Sequence, residues 1–258
     1  MIDLSGKKAF VFGGSSGIGG AISSNLNLCN CEVLVIGRSK EKFISLQKKA
    51  FNKKNLYFYN VDLLKETNLN YCLNEIHLTF GTPDIIIHNI GGALGIKNLY
   101  TPFSEWTDLI RFNFGVSVDI NNFFVPKLID KGWGRVVHLS SISSKIGEPK
   151  SDTFQGSIQY ASVKSMLNAY CQGLSREVSS KGVLVNAVLP GPVISEGKFW
   201  HKLKKSNNQL YRKYVDQYVS INRLALPEEI AKLVTFLVSD LNTYMAGSLV
   251  NIDGGRFS

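Results

Sequence analysis

The sequence predicts an α/β fold: a doubly wound parallel sheet of about seven strands with helices on both faces. Three observations carry that expectation. Short β-rich runs alternate with helical patterns from end to end of the 258 residues. The run Ile85-Ile86-Ile87 is apolar without alternation, as a strand covered on both faces must be. No Pro/Gly/Ser-rich linker and no repeat breaks the alternation, so residues 1–258 read as one domain.

In chain order, strands are expected at residues 7–12, 32–36, 56–60, 85–89, 135–139, 184–188 and 249–252. Helices fill the gaps at about 17–29, 40–50, 65–79, 105–130, 158–180 and 227–239. The last of these begins with Pro227-Glu228-Glu229, which places proline in the first turn and acids at the positive end of the helix dipole. Residues 195–222 interrupt the alternation between the sixth strand and that helix.

Composition excludes several classes. Hydrophobic content of 44% with 19% charged residues describes a globular chain rather than a disordered one. No stretch approaches 18 uninterrupted apolar residues, so no transmembrane helix is expected, and the start of the chain does not read as a secretory signal. Cys29, Cys31, Cys72 and Cys171 lack metal-binding spacing and read as reduced thiols of a cytoplasmic protein. No metal site is expected. The formal charge of +9 is dispersed, with no basic run interleaved with aromatics, so an anionic cofactor or substrate explains it more simply than nucleic acid.

The chemistry begins at the first strand–helix turn, Gly13-Gly14-Ser15-Ser16-Gly17-Ile18-Gly19. Glycines there let backbone N–H groups and a helix N-terminus approach a pyrophosphate. The spacing is G-x-x-x-G-x-G rather than the commoner G-x-G-x-x-G. At the end of the second strand, Ile36-Gly37-Arg38-Ser39 offers no acid for a ribose 2′-hydroxyl but a guanidinium suited to a 2′-phosphate. NADP(H) is therefore expected over NAD(H), with Arg38 and Ser39 at the phosphate. Further along, Tyr160 and Lys164 stand at i and i+4 on one helix face. A cation beside a phenol favours the phenolate and draws its pKa from about 10 toward the range where proton transfer to a carbonyl is useful. The pair means little alone, because composition would supply one Tyr-x-x-x-Lys by chance.

Taken together, Gly13/Gly17/Gly19, Val61-Asp62, His88-Asn89-Ile90-Gly91, Asn113, Ser141, Tyr160-x3-Lys164, Pro190-Gly191 and Asp253-Gly254-Gly255 resemble the short-chain dehydrogenase/reductase family. The likeness runs nearly end to end and is to the short, single-domain branch, in a pattern common among 3-oxoacyl-carrier-protein reductases. It implies a Rossmann-like fold and a homotetramer or homodimer packed through helices 105–130 and 158–180. It also implies hydride transfer between a nicotinamide and a carbonyl or secondary alcohol. In that resemblance Tyr160 exchanges the proton, Lys164 lowers the Tyr160 pKa and bonds the nicotinamide ribose, Ser141 bonds the substrate oxygen and Asn113 anchors a water leading to Lys164. Gly13, Ser15, Ser16, Gly17, Ile18 and Gly19 line the pyrophosphate turn, and Val61 and Asp62 meet adenine. Asn89 and Gly91 lie beside the cofactor, while Pro190, Gly191, Val193 and Ser195 border the nicotinamide. Ser140 is the neighbour to separate from Ser141, since strand alternation lets only one face the site.

The chain departs from the family pattern in places. Phe12 replaces a threonine beside the glycine turn, an expected loss of rigidity, and His88 and Ile90 replace asparagine and alanine. His88 reads as a satisfied strand-end histidine. Eighteen residues separate Ser141 from Tyr160, with a polar insertion at 148–153. In the family, the stretch corresponding to 195–222 is a mobile substrate lid. Here it carries Lys198, His201, Lys202, Lys204, Lys205, Arg212 and Lys213 among aromatics, which suits an anionic substrate. A 3-oxoacyl thioester leads, and a sugar or surface-glycan precursor is the alternative. The rival from another class is a silent nucleotide-binding regulator, against which the joint presence of Asn113, Ser141, Tyr160 and Lys164 argues.

Overall fold

A computed structural model describes residues 2–65, 68–96, 98, 100–146 and 158–256. Its centre is a seven-stranded sheet, every paired neighbour parallel, in the order β3-β2-β1-β4-β5-β6-β7. The strands are β1 (Lys8–Phe12), β2 (Glu32–Gly37), β3 (Leu56–Asn60), β4 (Ile85–His88), β5 (Gly134–Leu139), β6 (Val183–Pro190) and β7 (Leu249–Ile252). The order reverses between β3-β2-β1 and β4-β5-β6, which opens a crevice above the carboxyl ends of β1 and β4.

Strand alternation divides the core in two. Phe10, Phe12, Ile86, Val136 and Val185 pack with α3 (Leu69–Phe80), α5 (Val116–Asp130) and α7 (Ile158–Val178). Ala9, Val11, Ile85, Ile87 and Val137 pack on the other face with α1 (Gly17–Leu28), α2 (Lys40–Lys48) and α10 (Pro227–Val238). Burial of both faces is why these strands read as continuous apolar runs.

Four expectations shift. The helix expected over 105–130 is α4 (Phe103–Ile110), then a five-residue π-helical stretch, Arg111–Gly115, then α5. A π turn inside a helix marks a place where local geometry yields to a site, and Asn113 lies in it. The helix expected from 65 starts at Leu69, where the Asn68 side chain accepts the Tyr71 N–H at 3.1 Å. A short α6 (Ser143–Ile146) follows β5, and residues 195–222 carry two helices, α8 (Phe199–Ser206) and α9 (Asn208–Tyr218). The expected insertion at 148–153 lies outside the described residues.

The departures at Phe12 and His88 turn out to be one feature. Register pairs Phe12 with His88 and His88 with His138 across β1, β4 and β5. Their rings form a column, Phe12 on His88 at 5.9 Å and His88 on His138 at 4.4 Å, with nearly parallel planes. Asn121 of α5 ties the column together: its Oδ1 meets His88 Nε2 at 2.8 Å, and its Nδ2 lies 3.3 Å from both His138 Nε2 and the Tyr170 hydroxyl. Burial holds the His88 pKa down to about 4 and the His138 pKa well below its ordinary value. Both imidazoles are therefore neutral at pH 7. A phenyl ring in the threonine position packs this column, so the lost hydroxyl is replaced by stacking.

Candidate active site

The sheet's carboxyl edge carries two adjoining cavities, of about 360 Å³ and 260 Å³. The larger is walled by the glycine turn, the ends of β2 and β3 and the loop after β4. Gly13 has φ +80 and its N–H bonds Ile36 O at 2.8 Å, while Asn89 Nδ2 bonds Gly13 O at 2.9 Å. A Cβ on Gly13 would lie 2.7 Å from Asn89 O, so this glycine is required by packing against β4. Gly17, φ +58, is different. A Cβ there would meet only Ser195, at 3.6 Å, on the cavity side. Ser16 precedes α1 without a side-chain cap, whereas Ser39, Asn68 and Asn207 cap α2, α3 and α9. The first N–H groups of α1 thus face the cavity with no side chain from the cap answering them, which fits a pyrophosphate.

At the far end of the same cavity stand Arg38, Lys42 and Lys198 with one carboxylate, Asp62. Arg38 Nη1 is 3.9 Å from Asp62 Oδ2, a loose and mostly exposed pair. Burial, then the charges of Lys42, Arg38 and Lys202, lower the Lys198 pKa. Ser39 also lines the cavity, but its hydroxyl donates to Glu41 at 2.9 Å and accepts the Lys42 N–H at 3.3 Å, so it acts as the cap of α2. Val61, whose N–H bonds Gly37 O at 3.0 Å, and Asp62 form the wall after β3.

The smaller cavity brings Ser141 and Tyr160 together with Ser143, Trp200, Tyr214 and Arg256. Both serines line this cavity; Ser141 Oγ donates to Ser143 Oγ at 3.0 Å, while Ser140 Oγ turns back to donate to Lys164 O at 3.3 Å. Lys164, on α7, is 2% exposed, and its ammonium donates to Leu139 O at 2.9 Å. Its Nζ lies 5.7 Å from the Tyr160 ring centroid. Burial lowers its pKa to about 8.

Asn113 is fully buried and its amide is spent on backbone. Nδ2 donates to Gly92 O and Leu109 O at 3.0 Å, and Oδ1 accepts the Gly92 N–H at 2.9 Å. A Cβ on Gly91 (φ +143) would collide with Asn113 Oδ1 and lie 2.9 Å from Lys164 Nζ. The π turn, the glycine loop after β4 and Lys164 therefore converge at one point. Pro190, Gly191 and Val193 line the smaller cavity, Ser195 lines the larger, and Ile18 and Val193 line both and join the two.

Sequence reasoning missed Lys42, Ser143 and Arg256, and noticed Lys198, Trp200 and Tyr214 only as part of a basic aromatic segment. Lys42 had a legible signal, a cation in the first turn after Arg38; Arg256 had none. Lys202, Lys204, Lys205, Arg212 and Lys213 are exposed and line neither cavity. The two helices are amphipathic, turning Trp200, Tyr211, Tyr214 and Tyr218 toward one apolar cluster and those charges outward, with Phe199 exposed.

Comparison with known proteins agrees with this architecture. The family described as enoyl-(acyl carrier protein) reductase matches residues 13–256. The 3-oxoacyl-[acyl-carrier-protein] reductase of Rickettsia prowazekii is 30% identical over 255 residues, covering 99% of this chain and 98% of its own. That of Aquifex aeolicus is 28% identical, covering 99% of each. Among solved structures, L-sorbose reductase from Gluconobacter frateurii, complexed with NADPH and L-sorbose, superposes with a TM-score of 0.87 at 24% identity, covering 99% and 98%. A 3-oxoacyl (acyl-carrier-protein) reductase from Agrobacterium tumefaciens with NADP bound gives 0.88 at 23%, covering 98% and 95%. At those identities the structures speak for the fold alone. With the match spanning nearly the whole chain and the sheet, glycine turn and Tyr160–Lys164 pair in place, this protein belongs to the short-chain dehydrogenase/reductase family and is an NAD(P)-dependent oxidoreductase of its single-domain type.

Proposed function

We propose that the protein reduces a ketone with NADPH and that its first substrate class is a 3-oxoacyl thioester. The observation that carries this reading is the buried Lys164 ammonium behind Tyr160, whose side chain lines a cavity adjoining that of the glycine turn. When bound, the nicotinamide supplies the hydride. Ser141 donates a hydrogen bond to the carbonyl oxygen, exchanging its bond to Ser143. Tyr160 gives that oxygen a proton as negative charge develops, and the Lys164 charge stabilises the phenolate left behind. Asn113 holds the Gly91–Gly92 backbone over Lys164 and so positions the lysine's surroundings. The N-terminus of α1 receives the pyrophosphate, and Arg38 with Lys42 receives the 2′-phosphate. Residues 195–222 act as the substrate lid.

The acyl-thioester assignment is supported by the two 28–30% identical reductases. A second reading, a ketose or related sugar, is favoured by the compact 260 Å³ volume beside Ser141 and Ser143. NADPH oxidation with acetoacetyl-coenzyme A and with a panel of ketoses decides between them. Tyr160→Phe should lower turnover of the true substrate by about 10³-fold while leaving NADPH affinity in place. Retained turnover would overturn the assignment of Tyr160.

A further inference from the structure

We propose that Lys198 is a ligand of the cofactor's 2′-phosphate, so that recognition of the phosphate and closure of the substrate pocket are one event. The inference rests on the NADPH reading above and goes beyond it, because Lys198 comes from the lid and not from the β2–α2 corner that holds Arg38 and Lys42.

Four observations lead there. The phosphate end of the larger cavity collects three cations from two separate chain segments against one carboxylate. That carboxylate, Asp62, already faces Arg38, and its Oδ1 accepts the Leu64 N–H at 3.2 Å. Among the described residues neither Lys42 nor Lys198 lies within 4.0 Å of an acid. Like charges gathered this way repel one another until an anion joins them, and a phosphate dianion is the group of matching charge and size.

Lys198 is also fixed to the substrate side. Its N–H closes a turn onto Ser195 O at 3.1 Å, with Gly197 at φ +70, and it is the boundary residue from which α8 starts. Two residues on, Trp200 lines the substrate cavity and stands 4.3 Å from the Tyr214 ring. One turn of chain thus serves both cavities. The helices it leads into have their own apolar cluster of Tyr211, Tyr214, Val215, Val219 and Leu224, separate from the two cores on the sheet. Such a unit can shift as a body without opening either core. A 2′-phosphate bridging Lys198 to Arg38 and Lys42 would hold α8, and with it Trp200, against the site.

The test needs no knowledge of the substrate. Adenosine 2′,5′-bisphosphate and 5′-AMP are compared as ligands of the full chain, by calorimetric affinity and by protection of residues 195–222 from limited chymotrypsin cleavage. The expected result is that the bisphosphate binds more tightly by about tenfold or more and slows cleavage, while 5′-AMP at saturation does not. Lys198→Ala should lose most of the affinity difference and the protection, and Lys198→Arg should restore both. If Arg38→Ala abolishes the affinity difference but Lys198→Ala keeps affinity and protection, the role of Lys198 is overturned and the NADPH reading stands. If the wild-type chain binds both ligands equally, the NADPH reading itself fails, and this proposal with it.

Discussion

The two cavities at the sheet edge are made of different material. The cofactor cavity is built from strand ends and the turns that directly follow them: Gly13–Gly17 after β1, Arg38 after β2, Asp62 after β3, Asn89 and Gly91 after β4. Its walls are backbone held by the parallel sheet, as in the bond from Asn89 N to Phe12 O at 2.9 Å. The substrate cavity shares Ser141 and Tyr160 with that rigid frame, but its outer wall is Trp200, Tyr214 and Arg256, from the α8–α9 unit and the end of the chain. Short loops on a sheet leave little freedom, so chemistry and cofactor are fixed by the frame. Long connections are free to change, and they decide what is reduced.

The sharpest way to break this comparison is at Lys164, which belongs to the rigid frame and pays for it in stability. Lys164→Met should reduce turnover by about 10³-fold or more. It should also stabilise the fold, because the buried amine has a folded pKa of about 8 against 10.5 unfolded. Below pH 8 the charged form then costs about 3 kcal/mol, and that cost fades as pH rises from 8 to 10.5. Chemical denaturation of both proteins at pH 7 and pH 10 checks the sign: the variant's advantage should shrink at the higher pH.

Next in size is a change confined to the outer wall. Arg256 Nε donates to the Tyr214 hydroxyl at 2.9 Å, and its guanidinium lies over the Tyr214 and Tyr218 rings. Arg256→Met should raise the substrate KM about 10-fold or more, the worth of one hydrogen bond to a charged donor, and leave NADPH affinity within about twofold. Steady-state kinetics with a separate NADPH titration reads both. An unchanged KM would remove the chain end from the substrate site.

The smallest effect concerns the buried ring column of Phe12, His88 and His138. His88 has a folded pKa of about 4 against 6.5 unfolded, so the unfolded chain takes up a proton that the native state refuses. Stability should therefore fall as pH drops from 6.5 to 4. His88→Asn should remove about 3 kcal/mol of that fall over the full window, although lost stacking lowers its stability at pH 7. Denaturant midpoints at pH 7 and pH 5 decide it. Equal slopes would mean that His88 is not the group responsible.

Much of this was legible in the chain, and the limits have physical causes. Seven strands were readable because both faces of each central strand are buried, so apolar runs such as Ile85-Ile86-Ile87 have no polar interruption. The π turn at Asn113 was not, because a single extra residue in a helical turn leaves the apolar periodicity almost unchanged. Phe12 and His88 looked like separate departures because they are 76 residues apart; only strand register shows that they share one column with His138. Basic residues of 195–222 were read as one feature. The fold then set Lys198, just before α8, on the wall of the larger cavity with Arg38 and Lys42, and left the remaining lysines off both cavity walls.

The sequence by itself determined the alternation of strands and helices, the glycine turn, the arginine after β2 and a tyrosine one helical turn before a lysine. Each is a local pattern whose residues lie within a few positions of one another, where spacing and geometry are nearly the same thing. Tertiary structure alone decided that Lys198 and Arg38, 160 positions apart in number, line one cavity. It also decided that Lys164 is buried with its Nζ 5.7 Å from the Tyr160 ring, and that the last described residue, Arg256, lines the smaller cavity. Those are long-range contacts, and no local pattern encodes them because each depends on how the whole sheet brings distant loops to its carboxyl edge.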